Sequence, residues 1–512
     1  MKNQLIKTFL LTLLVVGALV GLFFLPRFTI GDTTLRRVNI LGDVERRDSL
    51  GRIAAEVEAD ANDGIAPEAV IDSSAVRVAR MNYKDNVPEG MVPIEDFADP
   101  SGVNREMDKF YEALDHASQR PVRIAYYGDS FVEGDILTAD LREMFQQRYG
   151  GNGVGFVDIG HVADGFRISV KHSHKGWAEH HANDKKGSGY KGELAGISGN
   201  YFLPSGTGVN TLTCSTQYGA AHLAKADVAT IYYVAGSNLS LTASIDGGDP
   251  RVIHGSANMP AASEPTYDTV YEPTDSTDST GHPIMRAVKV QREPAGASTS
   301  ELSGGEIRAE RISGPLTSIE MKAHGNGRFF GIALDGKSGV CVDNFSMRSS
   351  NGVYLSGIPS ATLSQFNKLR PYDLIVLHFG LNVASPKVKD YSAYARQMGE
   401  VVDHFRHAFP GASILVVSCS DRGKRGNDGQ IHTMPGITEL GAYQRRLASD
   451  HRVAFWNLYE GMGGDGSIGT MKENKQANLD YTHINRAGGK YVAQILFDVL
   501  MNGKKNYDQR MK

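Results

Sequence analysis

The protein has 512 residues, 41% hydrophobic and 22% charged, so the chain is long enough to bury a full core and too apolar to be disordered. Its net charge of −4 comes without long basic runs, which argues against nucleic-acid partners. The three cysteines, Cys214, Cys341 and Cys419, lie far apart and predict neither a disulfide framework nor a thiolate metal site.

The amino terminus carries an uncharged, almost wholly apolar run at residues 9–26, preceded by Lys2 and Lys7. As a helix this run would span about 27 Å, just enough to cross a hydrocarbon core of about 30 Å. No small-residue cleavage site follows it, so the pattern favours a retained signal anchor over a removed signal peptide. The two lysines favour a cytoplasmic start. We therefore predict an anchor at residues 1–26, with the remaining chain exported.

Residues 27–117 are expected to connect this anchor to the folded part. Residues 43–88 mix charges with few aromatics and predict a tether or a loosely packed stalk. From Ile94 to Leu114, apolar residues recur near helical spacing, with Asp99 and Ser101 as candidate caps. This pattern predicts a helix that leads into the first strand.

That first strand, from Val122, ends in Gly128-Asp129-Ser130, and a helix is predicted over residues 137–149. The carboxyl end of a buried strand, just before a helix, is where α/β folds place reactive groups. Serine is also an ordinary turn and cap residue, so Ser130 alone is only a candidate nucleophile. A glycine-rich stretch at 150–155 follows the helix, whereas a dinucleotide site requires glycines before one.

Residues 161–338 read as an insert. Short alternating runs separated by Gly, Pro and Asp are typical of an all-β sandwich, and residues 263–282 predict a long exposed loop on it. Such an insert could bind sugar, position substrate or act as a spacer.

Two motifs in the insert have alternative readings. The histidines of residues 172–181 could ligate a metal, but no carboxylate or cysteine lies at a recognised spacing, so a polar loop that touches substrate is the alternative. Residues 331–338 match the P-loop pattern, yet strand-like residues follow where a helix is required. A phosphate site is therefore not expected.

From residue 339 to 512 strands and helices alternate again. Near-continuous apolar runs at 374–379 and 414–418 predict a parallel sheet covered on both faces. We expect this part and residues 118–160 to form one α/β domain, interrupted by the insert. The predicted strands are 340–346, 374–379, 414–418 and 453–456, and the predicted helices are 391–409, 437–449 and 487–501.

Three polar groups follow these strands and supply what a serine nucleophile requires. Asn382 comes just after a strand and a glycine, and its amide can donate to an oxyanion; Gly352, after another strand, can expose a backbone N–H. Asp480 and His483 lie three residues apart, so the carboxylate can hold Nδ1–H while Nε2 takes the serine proton. Each residue alone could be an ordinary turn or cap residue.

Together, Gly128-Asp129-Ser130, Gly352, Gly380-x-Asn382 and Asp480-x-x-His483 resemble the four blocks of the SGNH (GDSL) hydrolases. The resemblance implies a three-layer α/β/α sandwich with a flavodoxin-like parallel sheet, a triad of Ser130, His483 and Asp480, and an oxyanion hole made by Ser130, Gly352 and Asn382. It implies no metal and no organic cofactor.

The sequence departs from the family's usual pattern at two positions, where it has Phe131 and Val383. Gly352 is the least specific match, since Gly357 is nearby and Ser349 or Ser350 could also contribute.

The large β insert further resembles bacterial membrane-associated O-acetylesterases and acetyltransferases that act on peptidoglycan and polysaccharide. This resemblance implies a serine esterase anchored in the inner membrane and facing the periplasm. It would remove O-acetyl groups from a carbohydrate, with other envelope polysaccharide-modifying proteins as candidate partners. An O-acetyltransferase with the same residues and a non-catalytic carbohydrate-binding scaffold are the alternatives.

Overall fold

The computed structural model describes residues 29–30, 33–34, 83–99, 104–161, 165, 167–184, 189–215, 221–262, 267–277, 283–291 and 299–512. The predicted anchor at 1–26 and most of the predicted stalk lie outside these residues. Within the described part of the chain, no helix has the length and apolarity needed to cross a membrane.

The strands are numbered in chain order: β1 (Thr29–Ile30), β2 (Thr33–Thr34), β3 (Glu95–Asp96), β4 (Pro121–Gly128), β5 (Gly155–Asp158), β6 (Val170–His180), β7 (Tyr201–Cys214), β8 (Ala226–Ala235), β9 (Ser240–Ile245), β10 (Arg251–His254), β11 (Tyr267–Thr277), β12 (Pro283–Gln291), β13 (Ile307–Leu316), β14 (Ser318–His324), β15 (Gly327–Asp335), β16 (Gly339–Ser346), β17 (Leu374–His378), β18 (Ser413–Val417), β19 (Gly423–Arg425), β20 (Ile431–Thr433) and β21 (Ala454–Trp456). The helices are α1 (Asp108–Asp115), α2 (Thr138–Tyr149), α3 (Thr299–Leu302), α4 (Ser360–Leu369), α5 (Ser392–Ala408), α6 (Ile437–Asp450), α7 (Leu458–Gly461), α8 (Ser467–Glu473) and α9 (Arg486–Arg510).

Six strands form the sheet that carries the candidate nucleophile, in the order β16-β4-β17-β18-β21-β3. The first five are parallel, and β3 is antiparallel at the edge. Numbered among themselves, the parallel strands follow the flavodoxin-like order 2-1-3-4-5. Every residue of β17 and β18 is buried, because helices cover both faces of the sheet. The predicted split parallel sheet is thereby confirmed.

The strand register brings three chain segments to one edge of this sheet. Gly128, the last residue of β4, pairs with Ser346 at the end of β16 and with His378 at the end of β17. The three strands are parallel, so their carboxyl ends lie side by side, and the residues that follow them lie at the same edge. Sites in open α/β sheets form at this edge.

The insert forms a second, antiparallel sheet of nine strands that branches at β7. One branch runs through β14, β9 and β10, the other through β15, β8 and β13, while β5 pairs with β15 and β6 with β7. This sheet has an apolar cluster of its own. It already includes β5, slightly before the predicted boundary at residue 161.

Two expectations about the insert are wrong. The predicted exposed loop at 263–282 contains β11, which forms a long antiparallel hairpin with β12. The histidine-rich run is β6, a strand paired along β7, not a loop. In contrast, β15 leads through a short turn directly into β16, so no helix follows the P-loop-like residues, as expected.

Residues 83–512 belong to one compact unit, and the hairpin β1–β2 belongs to a separate unit, residues 1–74. The insert and the parallel sheet share an apolar core, in which Phe156 of β5 packs on Phe345 of β16 with ring centroids 5.4 Å apart. A buried cluster of charged residues also connects the insert to the parallel sheet. In it, Arg370 donates to Asp335 of β15 and, at 2.7 Å, to Asp343 of β16.

Arg370 occupies the place that a metal ion would take in this cluster. Among the described residues, Asp335, Cys341 and Asp343 are the group whose ligand atoms lie close enough together to hold a metal ion. The guanidinium contacts all three, and Tyr372 donates to Asp343 at 2.6 Å. Burial alone would raise the pKa of Asp343, but Arg370 outweighs it and lowers this pKa to about 2. The cluster is therefore an internal ion pair.

The segment before β4 differs from its prediction. A helix was expected from Ile94, but Glu95 and Asp96 form β3, and α1 begins only at Asp108. Asp96 accepts from the backbone N–H groups of Glu106 and Met107 at 2.9 and 3.0 Å. The predicted cap Asp99 accepts instead from the N–H of Asn104 at 3.4 Å, and Ser101 lies outside the described residues.

The described end of the predicted stalk is docked on the folded unit. Asn86 exchanges hydrogen bonds with the side chain of Asn506 on α9, at 2.9 and 3.1 Å. Tyr83 also donates to Asn506, at 3.1 Å.

Candidate active site

The candidate nucleophile lies in a tight turn after β4. At Gly128, a Cβ atom would lie 2.4 Å from the Val132 side chain and 3.0 Å from the His378 carbonyl, so this position requires glycine. Phe131 is buried against the His378 ring, with centroids 5.3 Å apart. The turn is thus packed on β17, and Ser130 is left at the sheet edge.

Ser130, His483 and Asp480 form a continuous chain of hydrogen bonds. Ser130 Oγ lies 3.0 Å from His483 Nε2, and His483 Nδ1 lies 2.7 Å from Asp480 Oδ2. Asp480 also accepts from the backbone N–H groups of Thr482 and His483, both at 3.0 Å. The structure therefore places the Asp480 carboxylate at one side of the imidazole and the Ser130 hydroxyl at the other.

The charge state of Asp480 suits this arrangement. Burial would raise its pKa, but the hydrogen bonds from His483 and the backbone outweigh burial and hold the pKa below its usual value. An ionised Asp480 keeps the proton of His483 on Nδ1, so Nε2 presents a lone pair to the hydroxyl of Ser130. This is the arrangement that activates a serine for attack on an acyl carbon.

Asp129 joins two of the segments that meet at the site. Its carboxylate is buried and accepts from the backbone N–H of Phe131 at 3.0 Å and from those of Gly380 and Leu381 at 3.2 Å. It therefore ties the turn that carries Ser130 to the turn that carries Asn382. Burial raises the pKa of Asp129 to about 6, even though these three hydrogen bonds act in the opposite direction.

This raised pKa gives a testable pH dependence of stability. In the unfolded chain Asp129 loses its proton near pH 4, whereas the folded protein keeps it until about pH 6. The stabilisation from Asp129 is thus complete below about pH 4 and is lost as pH rises to about 6, by roughly 2–3 kcal/mol. We expect the free energy of unfolding of the wild type, relative to D129N, to fall by this amount between pH 4 and 6 in urea titrations. A constant difference would contradict the assignment.

Of the two predicted oxyanion donors other than Ser130, Asn382 lines the cavity and Gly352 does not. Asn382 lines the cavity at Ser130, and its amide donates one hydrogen to the Ser350 carbonyl at 2.9 Å. An amide has two N–H groups, so the other can serve an oxyanion. The N–H of Gly352 donates to Ser350 Oγ at 3.0 Å, and a Cβ at Gly352 would lie 2.7 Å from the Phe379 ring.

Gly352 therefore packs against the protein interior. Its N–H was predicted to reach the cavity, but the structure does not place it there. Ser349 of the same loop lines the cavity instead, in a left-handed conformation with φ of 59°. Backbone of this kind is uncommon outside glycine and is often found at functional sites. The sequence offered no conformational signal for Ser349, because serine rarely adopts this conformation without tertiary contacts.

A cavity of about 590 Å³ opens beside Ser130 and His483. Its walls combine polar and apolar groups, including three isoleucines, one of which, Ile168, comes from the insert. Arg348 in its wall pairs with Glu133 at 2.8 Å, and Arg486 pairs with Asp140 at 2.5 Å. The remaining residues lining the cavity are Gly134, Ile136, Ser349, Asn382, Asn478 and Ile484. Such walls suit a neutral, hydroxyl-rich ligand.

The histidine-rich strand does not form a metal centre among the described residues. Glu179 accepts from His174 at 2.9 Å and lies 3.4 Å from His181. Burial would raise the pKa of Glu179, but these imidazoles outweigh it and lower the pKa to about 2. The carboxylate thus serves as hydrogen-bond partner to the histidines.

Comparison with known proteins gives likeness in structure alone. No protein-family model matches the sequence, and no curated protein sequence matches it. A solved structure described as a peptidoglycan O-acetylesterase in action matches 80% of this chain and 99% of its own, with 19% identity and a TM-score of 0.58. A family two carbohydrate esterase from Cellvibrio japonicus matches 66% of this chain and 98% of its own, with 9% identity and a TM-score of 0.24.

Proposed function

Starting from the SGNH-type fold that the sequence motifs imply and the structural likeness supports, we propose that the protein is a serine esterase that removes O-acetyl groups from a carbohydrate of the cell envelope or its surroundings. The observation that carries the proposal is the hydrogen-bonded chain from Ser130 through His483 to Asp480, which opens on a cavity lined in part by polar side chains.

The reaction would proceed in two steps through an acyl-enzyme on Ser130. Nε2 of His483 takes the proton of Ser130 as Oγ attacks the ester carbonyl, then gives it to the leaving sugar oxygen as the carbon–oxygen bond breaks. Water, deprotonated by the same nitrogen, next attacks the acetyl-serine; the bond between Oγ and the acetyl carbon then breaks, the proton returns from Nε2 to Oγ, and acetate leaves. The oxyanion of each tetrahedral intermediate would accept from the second amide hydrogen of Asn382 and from backbone N–H groups of Ser130 and the loop with Ser349.

The carbohydrate substrate class is supported by two independent features. The described cavity walls offer side-chain amides and a hydroxyl from Asn382, Asn478 and Ser349, which suit sugar hydroxyls. One solved structure with a similar fold is described as a peptidoglycan O-acetylesterase. The choice of acetyl as the acyl group rests on that description.

Acetate release from O-acetylated polysaccharides, with a chromogenic acetate as reference substrate, tests this proposal. We expect acetate as the product, whereas an acetyltransferase would pass the acetyl group to a sugar acceptor in the same assay. Both reactions share the acyl-enzyme, so the fate of the acetyl group is the measurement that separates them. No acetate and no acetylated acceptor from a folded protein would favour a non-catalytic carbohydrate-binding scaffold.

We also propose that the protein is anchored in the inner membrane with its catalytic part in the periplasm. The support is the apolar run at 9–26 with Lys2 and Lys7 before it. Recovery of the full-length chain in the membrane fraction, with its carboxyl-terminal part open to protease after outer-membrane disruption, is the expected result.

D480N separates a triad from a dyad. The amide cannot carry the negative charge that stabilises the imidazolium, and it can stabilise the wrong tautomer of His483. We expect kcat to fall by about 10²–10⁴-fold, the loss typical of this change, with little change in KM. Unchanged kcat, with activity still lost in H483A, would mean that His483 works without Asp480.

A further inference from the structure

Residues 346–350, the end of β16 and the loop that follows it, accept hydrogen bonds at every second carbonyl group. His161 Nε2 lies 3.0 Å from the Ser346 carbonyl, Asn183 Nδ2 donates to the Arg348 carbonyl at 2.9 Å, and Asn382 Nδ2 donates to the Ser350 carbonyl at 2.9 Å. His161 and Asn183 belong to the insert. The insert thus contacts the backbone of the loop that brings Ser349 to the cavity.

The Asn183 contact constrains the peptide group between Arg348 and Ser349. In a trans peptide the C=O and N–H bonds point in opposite directions. When Asn183 holds the Arg348 carbonyl toward the insert, the Ser349 N–H is therefore directed away from it. Ser349 itself lines the cavity that contains Ser130, which is where an oxyanion donor is required.

The side chain of Arg348 is held as well, by a different segment. It binds Glu133 with Nε at 2.9 Å and Nη2 at 2.8 Å, and Glu133 is a buried residue three positions after Ser130. The carbonyl of Arg348 is thus bound by the insert, while its side chain is bound by the turn of the nucleophile. Two such attachments can keep Ser349 in its left-handed conformation, which an unconstrained serine would leave.

A second set of contacts joins the insert to the nucleophile turn. Arg167 of the insert donates to the buried Asp135 at 2.9 Å, and Ser169 also donates to it. On its other side Asp135 accepts from Thr138, which begins α2, at 2.8 Å. These contacts hold the insert in place relative to Ser130. Asn183 can set the geometry of the Ser349 peptide only if the insert is held in this way.

We propose that the β insert is part of the catalytic apparatus, in which Asn183 and His161 are positioning residues that direct the Ser349 N–H into the oxyanion hole. This inference rests on the proposed esterase function and deepens it. It assigns a role to the insert other than spacing or sugar binding. Ser349 would touch the oxyanion, whereas Asn183 and His161 would act only through the loop.

Asn183 is exposed, so its replacement is not expected to affect folding. In N183A the carbonyl loses its donor, and in N183D a carboxylate faces the carbonyl with no hydrogen to donate. We expect kcat on a chromogenic acetate to fall by about 10–100-fold in both variants, less than the 10²–10³-fold typical of deleting an oxyanion donor, because the N–H is displaced rather than removed. KM and the melting temperature should stay at the wild-type values.

N258A is the matched control, since Asn258 is an exposed asparagine of the insert that follows β10, three strands from β7. Its kcat should equal that of the wild type. For His161, H161Q keeps a nitrogen donor and should retain most activity, whereas H161F removes the donor and should lose kcat by about tenfold, a loss within the range known for small displacements. If the His161 ring only filled space, H161Q would lose as much kcat as H161F, or more.

Two outcomes are distinguishable. If the wild type hydrolyses the ester and S130A does not, but both Asn183 variants keep wild-type kcat, the positioning role is wrong and the esterase function stands. A loss in N183A accompanied by an equal loss in N258A, or by a raised KM at unchanged kcat, would also overturn it. If the wild type itself has no esterase activity, the proposed function fails.

Discussion

S130A is expected to lose ester hydrolysis almost completely, with kcat/KM lower by on the order of 10⁴–10⁶-fold on a chromogenic acetate. Its Oγ is the atom that His483 faces at 3.0 Å, and alanine leaves no atom to form the acyl-enzyme. Because the Ser130 side chain is only partly buried and lies at the sheet edge, the variant should remain folded. Initial rates and the melting temperature of the purified protein are the measurements.

S449A provides the control, since Ser449 is an exposed serine on α6 and should be replaceable without any change in rate. Retention of more than about a tenth of the activity in S130A would mean that another group attacks the ester, because loss of a serine nucleophile leaves only a small residual rate. The hydrogen-bonded chain to Asp480 would then be structural, and the esterase mechanism given above would be wrong.

Replacing Arg370 should have the largest effect on stability. In R370M, Asp335 and Asp343 remain buried without their cation, and breaking such a pair typically costs about 3–5 kcal/mol. We expect the urea midpoint of unfolding to fall accordingly. The deficit should narrow as pH falls toward the low pKa of Asp343, because protonated carboxyls do not need the guanidinium.

R446A is the corresponding control, because Arg446 forms an exposed pair with Asp450 on α6 and should change the free energy of unfolding by at most about 0.5 kcal/mol. An equally small effect of R370M would contradict the view that the cluster joins β15 of the insert to β16 of the parallel sheet.

The elements that the sequence predicts well are those whose burial is uniform. The strand predicted at 374–379 is observed as β17, Leu374–His378, and the one predicted at 414–418 as β18, Ser413–Val417. Strands covered on both faces have unbroken apolar runs that polar turns interrupt, so their ends are visible in the sequence. The proximity of Ser130, His483 and Asp480 is predictable for a similar reason. Asp480 and His483 are close in sequence, and the carboxyl ends of neighbouring parallel strands lie at the same edge of the sheet.

Features set by long-range contacts were missed. The apolar spacing after Ile94 looked helical, but Phe97 lies beneath Arg445 of α6, 5.3 Å from its guanidinium carbon, and Glu95 pairs with β21. Likewise, Gly352 was chosen as oxyanion donor because glycine tolerates unusual backbone, whereas the residue at the cavity is Ser349. Its conformation depends on contacts from a segment more than 150 residues earlier in the chain, which no local pattern reveals.

The central claim is that an acyl group passes through Ser130. Rapid acid quenching of the wild type during turnover of a chromogenic acetate, followed by peptide mass spectrometry, tests this claim most directly. We predict one acetyl group on the peptide that contains Ser130, and none on that peptide in S130A. Steady turnover by the wild type without acetylated Ser130 at any quench time would contradict it.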